Sequence, residues 1–185
     1  RIINNKNIIR SLSQNNDNNN EIPSERLDNP KDSRPASFYE KKSDIDETKK
    51  YNMILSDLKN INEKQDWVII TEPWCGDAAQ NIPWLNKMAE LNSGIQVQLI
   101  LRDENADIMD NFMTNGGKSI PKLIALDKHD QVLFTWGPRP RLMQEKYLQM
   151  KKDGIEYAEV SKAIHSLYAK DKGNALQEEF YLILK

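Results

Sequence analysis

Only one of the 185 residues, Cys75, is a cysteine. That excludes an intramolecular disulfide and any zinc site built from several thiolates. A surplus of charge is also missing. With 26 basic and 28 acidic residues the formal net charge is −2, so the clustered basic surface that phosphate backbones require is not expected, and nucleic acid is excluded as the main partner. No stretch reaches the roughly 18–20 uninterrupted apolar residues of a membrane span. No basic, apolar and small-residue secretory signal opens the sequence at Arg1. A lone cysteine agrees with a reducing compartment, and the cytoplasm is the expected location.

What is present falls into two parts. Residues 1–40 contain "INNKNII" and "SQNNDNNNEIPS", with Pro23, Pro30 and Pro35 spread through the second half. Such composition buries too little apolar surface to offset the entropy of ordering, which predicts a flexible Asn-rich tail. Ile2, Ile3, Ile8 and Ile9 are the residues that could dock as a short apolar patch, against that reading. Residues 41–185 read as a folded domain with a core at about 47–140 and a helical extension over 141–185.

Within the domain, Tyr51, Ile54, Leu55, Leu58 and Ile61 recur at helical spacing. "DWVIITEP" is a β-branched run ended by Pro73 and predicts a buried strand. Residues 76–92 return to helical spacing through Ile82, Leu85, Met88, Ala89 and Leu91. "GIQVQLILRD" predicts a second strand, and "ENADIMDNFMTNGG" a helix stopped by paired glycines. "SIPKLIALD" and "VLFTWG", joined by the turn "DKHDQ", predict an antiparallel hairpin. Beyond Gly137 the chain reads as helices broken near Asp153-Gly154 and Lys172-Gly173. This order predicts an α/β domain, a central mixed sheet of four or five strands flanked by helices.

Four features in register resemble the thioredoxin family over about residues 47–140. "WCGDA" stands at a strand-to-helix junction, where thioredoxins carry Trp-Cys-Gly-Pro-Cys. Pro83 falls eight residues beyond Cys75, where the same helix in that family has a proline. "SIP" at 119–121 opens the hairpin strand, at the place of the family's cis-proline. Gly137 closes the last strand, beside the family's active site. The wording of "TEPWCGDAAQNIP", "NGGKSIPKLIALD", "WGPRP" and "YAKDKG" is further similar to a bacterial thioredoxin-like group with a single active-site cysteine.

The resemblance implies a thioredoxin fold and a site around Cys75. It also exposes departures. The resolving cysteine is replaced by Ala78, and the family's buried acid, six positions before the first cysteine, by Ile69. A first cysteine can attack a disulfide alone, but without the second the isolated chain cannot complete a dithiol cycle. The expected activity is therefore monothiol exchange at Cys75 with a low-molecular-weight thiol or a protein thiol or disulfide. The alternative is a non-catalytic binding or chaperone-like module that uses the groove beside Pro121.

Substrate contacts are expected from Trp74, Gly76, Asp77, Ile120, Pro121, Gly137 and Arg139. A helix N-terminus favours the Cys75 thiolate, while the charge of Asp77 opposes it, so the sign of the pKa shift stays open. Lys118, Arg102, Arg139 and Arg141 are the cations able to offset Asp77, with Arg139 foremost, either on Asp77 itself or on a ligand carboxylate. Asp103 and Glu104 read as a helix start, and neither a metal nor a cofactor is expected. His129 reads as a solvated turn residue. His165 reads as a surface or half-buried helix residue, because nothing in the sequence brings it to Cys75.

Overall fold

The computed structural model describes residues 47–184; the expected tail at 1–40 lies outside them. Six helices and four strands follow in the order α1 (Glu47–Lys59), β1 (Gln65–Thr71), α2 (Gly76–Ala89), β2 (Ile95–Leu101), α3 (Ala106–Asn111), β3 (Lys122–Leu126), β4 (Val132–Trp136), α4 (Arg141–Lys152), α5 (Tyr157–Asp171) and α6 (Asn174–Ile183). The strands form one sheet in the order β2-β1-β3-β4. β1 and β2 run parallel, joined by α2 as a crossover helix, whereas β3 lies antiparallel to both β1 and β4. This is the thioredoxin fold with additional C-terminal helices. Both faces of the sheet are covered, which is why β1 and β3 read as unbroken apolar runs rather than alternating ones.

Alternation along β1 divides the core. Trp67 and Ile69 point to one face, where they pack with Leu58 of α1, Leu85 of α2, Leu123 and Phe180 of α6. Val68 and Ile70 point to the other, with Ile100, Ile108, Met109, Ile124, Ala78 and Cys75. Phe180 has ring centroids within 5.6 Å of Trp67, 6.1 Å of Phe134 and 5.9 Å of Trp136. Burying one such phenyl contributes up to about 3 kcal/mol, enough to hold a short terminal helix on the sheet. A third cluster joins α4 to α5 through Met143, Val160, Ile164 and Tyr168.

One predicted element is much shorter than the sequence pattern suggests. The helix expected over "ENADIMDNFMTNGG" covers only Ala106–Asn111. Asn115 and Gly116 both have positive φ, 50° and 73°, and the backbones of Thr114 and Gly117 exchange hydrogen bonds of 2.9 Å. Asn-Gly at the centre of a tight turn meets that requirement with little strain, so it closes a two-residue turn instead of capping a longer helix.

Candidate active site

Cys75 is the N-cap of α2, with φ −78° and ψ 111°, and its carbonyl accepts the Ala79 N–H at 3.1 Å. The sequence breaks strand from helix at Pro73, and the Cys75 N–H closes that turn on the Glu72 carbonyl at 3.1 Å. The side chain turns inward and is buried beside Ala78 and Ile120. Its thiol donates to the Ile120 carbonyl at 3.4 Å. Burial pushes the thiol pKa up; the Ala78 amide pulls it down, the Asp77 charge raises it, and the Asp77 amide and Arg139 pull it down again. Burial prevails and the net shift is upward. The sign left open by the sequence is thus set by desolvation, a larger effect than either the amides at the helix start or the charge of Asp77.

Asp77 does not stand alone. Arg139 grips its carboxylate from two nitrogens, Nε to Oδ1 at 2.9 Å and Nη2 to Oδ2 at 2.7 Å. Both side chains are largely out of water, at 14% and 16% exposure, so the pair counts for more than a surface ion pair. The Arg139 guanidinium also donates to Gln144 at 3.0 Å and lies 4.2 Å from the Tyr147 ring centroid. The Tyr168 hydroxyl donates to Asp77 Oδ1 at 3.0 Å and accepts from Asn81 at 2.9 Å. Burial and the neighbouring Asp77 raise the Tyr168 phenol pKa strongly, which keeps it a neutral donor. Three separate elements, α2, the loop after β4 and α5, therefore meet at one carboxylate.

That loop is held in turn. Gly137 has φ 115°, and a Cβ there would overlap the Pro121 carbonyl oxygen, so only glycine lets the two loops touch. The Ile120–Pro121 and Gly137–Pro138 peptide bonds are both cis. From α6, the Glu179 carboxylate accepts the Trp136 indole N–H at 2.7 Å and the Arg141 backbone N–H at 2.5 Å. Burial raises the Glu179 pKa against the pull of those donors. Ile120 and Pro121 line the inner side of the site, while Trp74 stands 65% exposed at its rim with the Arg102 guanidinium 5.0 Å from its ring.

The remaining cations expected to compete for Asp77 have other partners. Lys118 pairs with Asp110 at 2.5 Å, Arg102 with Asp103 at 2.9 Å and Arg141 with Glu145 at 3.6 Å. His129 is exposed in the β3–β4 turn. His165 is half-buried, as the sequence reading has it, but it lies on Gly76, next to Cys75 in sequence, where an added Cβ would come within 2.8 Å of its Nε2. Sequence reasoning does not single out Tyr168, Asn81 or His165 as site residues. The available signal is their helical phase, with 165 and 168 on the face of α5 that also carries the buried Ile164. Among the described residues no group of three or more His, Cys, Asp or Glu side chains could hold a metal ion, and no helix is long and apolar enough to cross a membrane.

Known proteins give a family and a loose structural likeness. The chain matches none of the curated proteins. A solved protein of unknown function from Pseudomonas aeruginosa is 15% identical, with 91% of this chain and 84% of that one covered at a TM-score of 0.47. An HIV epitope-scaffold crystal structure is 16% identical over the same shares, at a TM-score of 0.46. The thioredoxin family model matches residues 25–153, a span that takes in Cys75, Ala78, Pro121 and Arg139. The chain belongs to the thioredoxin family, as a member with a single cysteine at the start of α2.

Proposed function

We propose that the protein is a slow monothiol exchange protein, in which Cys75 forms one mixed disulfide with a low-molecular-weight thiol or a protein disulfide. The observation that carries this reading is the Cys75 thiol itself. It sits at a helix N-cap, where the Ala78 and Asp77 amides pull its pKa down, donates to the Ile120 carbonyl at 3.4 Å, and has Ala78 where a second thiol would resolve the adduct. In the exchange, Cys75 Sγ loses its proton and bonds to one sulfur of a disulfide R–S–S–R′. The R–S–S–R′ bond breaks, and the departing R′ sulfur keeps the electron pair and takes up a proton. Release requires a thiol from solution, because these 185 residues hold no other. The raised pKa keeps the thiolate fraction small near neutrality, hence the low rate. Trp74, Gly76 and the Ile120–Pro121 segment would receive the partner, and Gly137 would keep the neighbouring loop in place. Arg139 acts on Asp77 in this reading rather than on a ligand carboxylate.

The test is intact-mass spectrometry after incubation with oxidised glutathione at pH 8. One glutathionyl adduct is expected on the wild type and none on Cys75→Ser, persisting until a free thiol is added. Absence of the adduct on the folded protein, with adduct formed on the urea-unfolded chain, would favour a second reading. That reading is a binding module, supported by the contrast between a buried Cys75 and a Trp74 that is 65% exposed beside it. A bound partner would then stack on Trp74 without bonding to sulfur.

A further inference from the structure

We infer that Glu179 of α6 is a positioning residue for Cys75, acting through the Arg139 loop and Asp77; for the chemistry of the thiol this rests on the monothiol reading above. Trp136 is the last residue of β4 and Arg141 the first of α4, so the two flank the loop 137–140. One carboxylate reaches both flanks. Glu179 Oε2 accepts the Trp136 indole N–H at 2.7 Å, and Oε1 accepts the Arg141 backbone N–H at 2.5 Å. The base of this staple is fixed, because the next residue, Phe180, is fully buried with its ring centroid 5.9 Å from that of Trp136. The staple also completes α4. Its N-cap, Pro140, makes no side-chain cap bond and its first turn holds no acid. An N–H in that turn has no acceptor within its own helix, and Glu179 supplies one from outside.

The placement of the loop matters because of what it carries. Arg139 meets both oxygens of Asp77 at once, at 2.9 and 2.7 Å. Helix α4 orients the guanidinium through Gln144 at 3.0 Å and the Tyr147 ring at 4.2 Å. Release at Arg141 therefore frees both the loop and the start of the helix that steadies it, and a two-pronged grip tolerates little displacement. Arg139 lowers the Cys75 pKa and Asp77 raises it. Withdrawal of the guanidinium removes the first influence and leaves Asp77 without its cation, so both changes deplete the thiolate that attacks a disulfide. A carboxylate suits this task because two donors converge on it and each takes one oxygen. An amide offers one oxygen only and turns its own N–H groups toward the other donor.

Glu179→Gln tests the inference by two readouts on the folded protein. In proton–nitrogen correlation NMR spectra the Arg139 Nε–H, assigned by its loss in Arg139→Met, is expected to exchange slowly with water in the wild type. In Glu179→Gln that resonance is expected to vanish into solvent exchange. Alkylation of Cys75 by iodoacetamide at pH 8 is expected to slow roughly two- to threefold, as in Arg139→Met, and the double variant to be no slower than Arg139→Met alone. Glu179→Asp, too short to reach both donors, is expected to behave alike and decides the matter if Glu179→Gln does not fold. Lower stability in urea with the Arg139 resonance and the alkylation rate unchanged would overturn the inference, and so would a slowing that adds in full to that of Arg139→Met. Alkylation requires no disulfide exchange. A wild type that forms no glutathionyl adduct would therefore overturn the monothiol reading and leave the hold of Glu179 on the state of the thiol standing.

Discussion

On one side, Cys75 shares an apolar cluster with Ala78, Ile70, Ile108 and Ile120; on the other, its helix turn meets Asp77, Arg139, Tyr168 and His165. The apolar side sets the state of the sulfur, since burial is the largest influence on its pKa. The polar side sets the neighbourhood a partner would meet, and it is assembled from α2, the loop after β4 and α5. In a dithiol protein the inner side would carry the second thiol. Here that position is an alanine, 4% exposed, and the ionisable groups lie on the outer side instead.

The largest expected change comes from putting chemistry back on the apolar side. Ala78→Cys supplies an internal nucleophile, and its one extra sulfur costs the packed core about 1 kcal/mol. The glutathionyl adduct, persistent in the wild type, is expected to vanish from the mass spectrum as an internal disulfide between Cys75 and the introduced thiol accumulates. On the polar side, Arg139→Met leaves the Asp77 carboxylate enclosed without its cation. A loss of about 3 kcal/mol in urea unfolding is expected, the low end for breaking a buried pair because this one keeps some contact with water. The same change removes a cation that lowers the Cys75 pKa, so alkylation at pH 8 slows. Asp77→Asn acts with the opposite sign and speeds alkylation roughly 3- to 10-fold, as expected for removal of a nearby like charge. Tyr168→Phe deletes one hydroxyl between Asp77 and Asn81 and is expected to cost about 1 kcal/mol, with little effect on the thiol.

The apolar side was the more legible of the two in the sequence. The strand runs are read from their apolar pattern, and the resemblance to thioredoxins assigns places to Pro83, Pro121 and Gly137 and shows through Ala78 and Ile69 what is absent. Arg139 follows Gly137 by two residues, close enough for the loop to bring it to Asp77. His165 and Tyr168 were out of reach because their approach depends on how α5 docks, which involves tertiary packing and no local pattern. A histidine on an otherwise ordinary helix carries no mark of the glycine it covers. The direction of the Cys75 shift was hidden for a related reason: dipole and charge can be read from neighbours in sequence, whereas burial requires the whole fold. The overlong helix reading before Gly116 arose because Asn-Gly serves equally as a helix stop and as a two-residue turn.

Whether the apolar side governs the sulfur can be read most directly from the rate of Cys75 alkylation by iodoacetamide against pH on the folded protein. A raised pKa means that thiolate appears only as pH climbs past the ordinary thiol range. The rate is therefore expected to stay low through pH 7–8 and to keep rising beyond an ordinary thiol's midpoint of about 8.5. A rate that is already at its plateau by pH 7 would mean a stabilised thiolate and would contradict the buried, protonated Cys75 described above.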